Sequence, residues 1–312
     1  MLQINETELS YFVIKGISDN PHLQLPIFVL VLSIYVVTLS GNLIILLLVV
    51  DYKLHTPVYF FLANLSITNI SSATATEHKI ISIYVNRNNT ISYPDCMPQV
   101  YFYFSITANE LFLVSVMSYD RYLAICKPLH YSMAASKVTC LFLAFSCWVV
   151  GFLQVIPYFV LLSKILCYKS NLIINFFCDV PSILKLSCSD IWTLEILIHT
   201  KGLLMLNITP YLLTFGLYVC IIITIFKLKS TSGKQKTFYT RSSHLTAVVI
   251  LYFILGCKYL KPVSKDSPMS DNLLSFLNNT SVPLLNPPIC SLRNRKRPHT
   301  RYNCLNDAER DM

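Results

Sequence analysis

Residues 25–50 read LPIFVLVLSIYVVTLSGNLIILLLVV, a run with almost nothing in it that a bilayer would reject. About 20 predominantly apolar residues are enough for one helix to cross a membrane. The run is long enough, and it is not alone. Seven candidate spans can be drawn along the chain, at roughly 25–50, 58–84, 98–120, 138–162, 196–226, 243–260 and 273–292. The second and seventh are the weakest by composition, because they carry the polar clusters ITNISSATATEHK and NNTS. Of all 312 residues, 54% are hydrophobic and 13% charged, where soluble domains carry roughly 25% charged residues. These features define an all-α, polytopic membrane protein. The opening MLQINETELS lacks the layout of a cleavable signal peptide, so the first span is expected to direct insertion.

Seven crossings place the termini on opposite sides, and positive charge orients them. With the N-terminus outside, the inner segments hold 15 of the 25 Lys and Arg residues against five acids. The outer segments hold ten of each. The net charge of +9 therefore lies on the inner face, in KLKSTSGKQK and RNRKR, and suits anionic lipid or a cytosolic protein partner. Nothing interleaves these basic residues with base-stacking aromatics, so nucleic acid is not an expected partner. The expected organisation is an extracellular tail at 1–24, a seven-helix domain at 25–292 and a short cytoplasmic tail at 293–312.

The cysteines sort by side. Cys96, Cys167, Cys178 and Cys188 fall in external segments, where disulfides persist. Four cysteines allow three pairings, and spacing does not choose among them. No Cys/His spacing resembles a zinc site, and no cofactor or metal is implied. The chain has no HExxH, no nucleophile elbow and no phosphate loop, so an enzyme is not expected. A transporter is a weak alternative: Glu110 is the one deep charge, and no internal repeat or pair of broken helices is visible.

Asp120, Arg121 and Tyr122 stand where the third span reaches the inner surface. Taken alone, a guanidinium beside a carboxylate there reads as an interfacial anchor. On the same span, Tyr103, Phe104, Thr107, Ala108 and Leu111 mark one helix face. Residues 104, 107, 111, 114, 118 and 121 continue that face as a stripe to the arginine. Asn42, Asn69, Glu110 and Asn286 lie within spans, where polar groups are expected to pair with one another or with water. Asn5–Glu6–Thr7 is the best-placed glycosylation sequon.

Six ordered motifs carry a family resemblance: LHTPVYFFLANLS at 54–66, MSYDRYLAICKPLHY at 117–131, FFCD at 176–179, KLSCSD at 185–190, SSHL at 242–245 and PLLNPPICSLRN at 283–294. With them the chain resembles the vertebrate odorant receptors over about residues 5 to 297. Those are rhodopsin-like, seven-helix receptors of the plasma membrane that couple to G proteins. The resemblance implies a small-molecule odorant as ligand and a stimulatory heterotrimeric G protein as partner, with cyclic AMP as output. It implies that Arg121 is a switch, held by Asp120 when inactive and released toward the G protein when active. It selects the pairing Cys96–Cys178 with Cys167–Cys188. It assigns the outer part of the third-span stripe to the pocket, where helical spacing adds Gly202, Leu203, Leu206, Tyr252, Leu255, Tyr259, Phe276 and Asn279. Such a wall suits a small, mostly hydrophobic molecule.

The chain departs from the family pattern at Asn69, Arg241, Phe253, Asn278, Pro288 and Cys290. Asn69 replaces an acid that helps hold sodium in related receptors. Phe253 stands where glycine is usual and is expected to make that part of the sixth span bulkier. Together these departures imply an alternative, a member with impaired or lost signalling.

Overall fold

The computed structural model describes residues 4–5, 10–16, 21–50, 57–86, 88–165, 167–188, 208–227, 245–246, 248–254, 276–277 and 280. Helix dominates. In chain order the elements are β1 (Ile4–Asn5), β2 (Tyr11–Ile14), α1 (Pro21–Val50), α2 (Pro57–Asn86), β3 (Thr90–Ser92), α3 (Tyr93–Cys126) and α4 (Pro128–Ala134). They continue with α5 (Lys137–Leu153), α6 (Ile156–Leu162), β4 (Cys167–Tyr168), β5 (Leu172–Ile173), α7 (Val180–Leu186) and α8 (Thr209–Lys227). Among the described residues four stretches are long and apolar enough to cross a membrane: His22–Val49, Tyr93–Cys126, Lys137–Leu162 and Thr209–Lys227.

The second candidate span is a 30-residue helix, α2, whose polar cluster is turned inward. Ser66, Thr68, Asn69, Ser72, Thr76 and Glu77 are all buried, with α1 and α3 packed on this helix. Much of a run that looks too polar for lipid is thus the interior face of a helix between two neighbours, while Thr74 and His78 of the same run are exposed.

α3 is the central helix. It packs against α2, α5 and α8, and 18 of its 34 residues are buried. Its start is fixed by Ser92, whose hydroxyl accepts from the Asp95 amide at 3.2 Å, and by Pro94 in the first turn, where a missing N–H costs nothing. It begins before the expected span and ends beyond it, so Asp120 and Arg121 lie inside a helix rather than at its end. α5 approaches α3 closely at Gly151, where a Cβ would sit 3.1 Å from the Asn109 backbone nitrogen. The expected fourth span is interrupted between Leu153 and Ile156. Pro157 explains the break, since it cannot donate to the Leu153 carbonyl one turn back.

The region before α1 is not a loose tail throughout. β2 pairs antiparallel with β3 and parallel with β5, and β1 pairs with β4. Phe12 and Ile14 are fully buried beneath this sheet with Cys96, Tyr168 and Ile173. Gly16, at φ 77°, ends the strand in a conformation that suits glycine. The Cys96–Cys178 and Cys167–Cys188 disulfides lie at the same end, with Cα separations of 5.7 and 5.5 Å.

Candidate functional site

Two constellations sit at opposite ends of α3. At the end far from the sheet, an Arg121 guanidinium nitrogen lies 2.8 Å from Asp120 Oδ2, and both residues are buried. The other carboxylate oxygen accepts a hydrogen bond from the Tyr131 hydroxyl at 3.0 Å. Tyr131 is on α4, which follows α3 after a single residue because Pro128 can start a helix but cannot continue one. Burial, then the charge of Asp120 and the hydrogen bond to it, push the Tyr131 hydroxyl up to about 12, so it remains a donor. Asp120 is thereby held from two sides. Tyr122 is half-buried, stacks on Tyr119 at 6.5 Å and packs against the main core.

The sheet end of α3 carries an aromatic layer. Tyr103, fully buried, meets Phe177 edge-on at 4.9 Å, and Phe176 meets Phe177 at 5.1 Å. Phe176 also contacts Phe276 edge-on at 6.1 Å. Phe104 packs against the same cluster, which is completed from α1 and α2 by Val31 and Ile80. Thr107 is half-buried, and its hydroxyl donates to the Tyr103 carbonyl at 2.9 Å, which leaves its oxygen free to accept. Ala108 is buried one residue on.

The residues expected in one pocket separate into two groups. Tyr103, Phe104 and Phe276 belong to the aromatic layer. Tyr252 packs instead with Leu111 and the main core, its hydroxyl 3.4 Å from Thr214 Oγ1 and its ring edge-on to Tyr211 at 5.1 Å. Thr214 in turn lies 3.0 Å from Ser115 Oγ, so a chain of hydroxyls joins α3, α8 and residues 248–254. Phe253 is 69% exposed, so its bulk points away from the interior rather than crowding it. Gly202, Leu203, Leu206, Leu255, Tyr259 and Asn279 lie outside the described residues.

The intramembrane polar residues divide too. The Asn69 amide donates to Asn42 Oδ1 at 3.0 Å, and Asn42 donates to the Thr38 carbonyl at 2.8 Å. Glu110 is buried, and its Oε1 has no hydrogen-bond partner. Asn286 lies outside the described residues. Asn5 sits in β1 opposite Cys167.

Sequence reasoning missed three features here. In the sequence Phe176 and Phe177 stand out only as part of the FFCD motif. Their place over α3 follows from the neighbouring Cys178 and from Gln99, which accepts from the Cys178 amide at 3.3 Å while donating to the Ala75 carbonyl at 2.7 Å. Tyr131 gave no local signal, because its partner is eleven residues away across a proline turn. Ser115 and Thr214 read as ordinary small polar residues in apolar helices.

A family model described as "Olfactory receptor" matches residues 31–304. Olfactory receptor 1F1 of Homo sapiens is 39% identical over 292 residues, covering 93% of both chains. Olfactory receptor 8G17 of Mus musculus is 40% identical over 93% of this chain and 95% of its own. Olfactory receptor 5B2 of Homo sapiens is 40% identical over 94% of each.

Proposed function

Because this chain belongs to the olfactory receptor family, we propose that it is a seven-helix odorant receptor of the plasma membrane, with its N-terminus outside. Members of that family are multi-pass membrane receptors and not enzymes. In this reading a small, mostly hydrophobic molecule binds against the outer part of α3. The chain then activates a stimulatory heterotrimeric G protein and raises cyclic AMP.

One observation carries the reading: a single helix joins a buried aromatic layer at one end to a buried, two-sided ion-pair lock at the other. A ligand wedged against Tyr103, Phe104 and Thr107 changes the packing of α3 with its neighbours. The hydroxyl chain through Ser115, Thr214 and Tyr252 ties that change to α8 and to residues 248–254. Interfaces of this kind repack between discrete arrangements rather than deforming smoothly. In the second arrangement Arg121 leaves Asp120 and turns toward the partner. The basic segments KLKSTSGKQK and RNRKR supply complementary charge to an acidic partner surface.

Two experiments test this reading. Cells expressing the chain, scored for surface arrival and for cyclic AMP across a broad odorant panel, should show at least one saturable response absent from empty cells. Surface expression without any response would favour the impaired-member alternative. Tyr131→Phe should raise ligand-free cyclic AMP several-fold at matched surface density. A hydrogen bond to a charged acceptor is worth about 1.5–3 kcal/mol, and this one exists only in the locked form. Unchanged basal signalling would remove Tyr131 from the lock.

A further inference from the structure

Glu77, on α2, is 1% exposed, and neither of its carboxyl oxygens has a hydrogen-bond partner. A carboxylate in such a place is costly unless a cation or several donors meet it. Among the described residues no cation is paired with it. His78 is exposed, and Lys79, on another face of α2, donates to the Thr90 carbonyl at 2.8 Å. Glu77 is also remote from the Asn42–Asn69 pair, since eight residues of helix separate it from Asn69, about 12 Å along the axis.

The face of α2 that bears Glu77 is the one that builds the aromatic layer. Ala73, Glu77, Ile80 and Tyr84 follow one another at three- and four-residue steps, the spacing of one helix face. Ile80 is part of the aromatic layer, and Tyr84 packs against it. Gln99, bonded to the Ala75 carbonyl, brings the first turns of α3 to the depth of Glu77. Glu77 therefore stands one helical turn from Ile80, on the helix face that meets a layer built from Tyr103, Phe176, Phe177 and Phe276.

A buried carboxyl on the helix face that meets an aromatic layer is chemistry that recognises an amine: the amine takes the carboxyl proton, and the resulting ammonium is paired with the carboxylate and sheltered by aromatics. It is poor chemistry for a metal ion. Hard cations take six or more oxygen ligands, and among the described residues no group of three or more His, Cys, Asp or Glu side chains could hold one. A neutral alcohol could share one hydrogen bond with the carboxyl but could not take its proton.

We infer that the ligand class of this receptor is a small hydrophobic amine, with Glu77 as counter-ion and the aromatic layer as its cover. This rests on the odorant-receptor reading and narrows it. The test uses the purified chain in lipid nanodiscs and thermal unfolding as readout. The probes are aliphatic and arylalkyl amines, each beside its matched alcohol, with cyclohexylamine against cyclohexanol as the first pair. At least one amine should raise the unfolding temperature while its alcohol does not. Its apparent affinity should fall about tenfold or more in Glu77→Gln, as expected when one partner of a desolvated charge pair is neutralised, and should persist in Glu77→Asp. Stabilisation by alcohols alone, or amine binding that survives Glu77→Gln, overturns the inference and leaves the odorant-receptor reading intact. No stabilisation by either set counts against both. The amine–alcohol comparison on the unaltered chain decides the matter even if a variant fails to fold.

Discussion

Cys178→Ser should all but abolish surface expression, lowering the signal of a surface-displayed N-terminal tag by about tenfold or more. Closing a loop of this size removes about 4 kcal/mol of unfolded-state freedom in the chain-entropy account, and the Cys96–Cys178 bridge spans 82 residues. The bridge also positions chemistry. Both sulfurs are fully buried, and the adjacent Phe176 and Phe177 are held over α3 by it. Loss of the bridge therefore costs stability and disperses the aromatic layer together. Cys167→Ser should do less damage, since its partner Cys188 is only 21 residues away. Non-reduced peptide mass spectrometry checks the pairing directly, and a Cys96–Cys167 peptide would overturn it.

Arg121→Ala should leave the chain at the surface and silence it, with agonist-driven cyclic AMP falling to the level of empty cells. Removing one member of a buried ion pair commonly costs 3–5 kcal/mol because the other charge is stranded. Here the stranded group keeps a partner, as Tyr131 still donates to Asp120. The folding cost is thereby softened, whereas the signalling loss is not. Surface staining and cyclic AMP measured on the same cells separate the two. A full response from Arg121→Ala would return the residue to the role of interfacial anchor.

The legible parts of this protein were those written in local periodicity. Apolar runs gave α1, α3 and α8, and the stripe from Phe104 to Arg121 gave the inward side of α3. The interruption at Gln154 and Val155 carries one local sign, Pro157. Long-range partners were the illegible part. Nothing in YFVI or TIS announces a sheet, because strands of three or four residues are too short to show a period and here pair with segments far along the chain. Tyr252 carries the spacing of a pocket wall, yet its side chain serves the hydroxyl chain between helices. Glu77 was visible only as one more polar residue in a weak span. A buried carboxylate and an exposed one look alike until the neighbours of the helix are known.

The strand Tyr11–Ile14 has a consequence for how the molecule is made. Its parallel partner, Leu172–Ile173, leaves the ribosome roughly 160 residues later. At about 5–20 residues per second, that is a wait of roughly ten to thirty seconds. Ile91, Tyr93 and Cys96 arrive about halfway through it to cover Phe12 and Ile14 in part, but Tyr168 and Ile173 come only at its end. The three-stranded sheet is therefore completed only after α1 to α6 have been synthesised. Until Leu172 and Ile173 arrive, one edge of that strand has no partner, and an open edge is a template for pairing with the wrong chain.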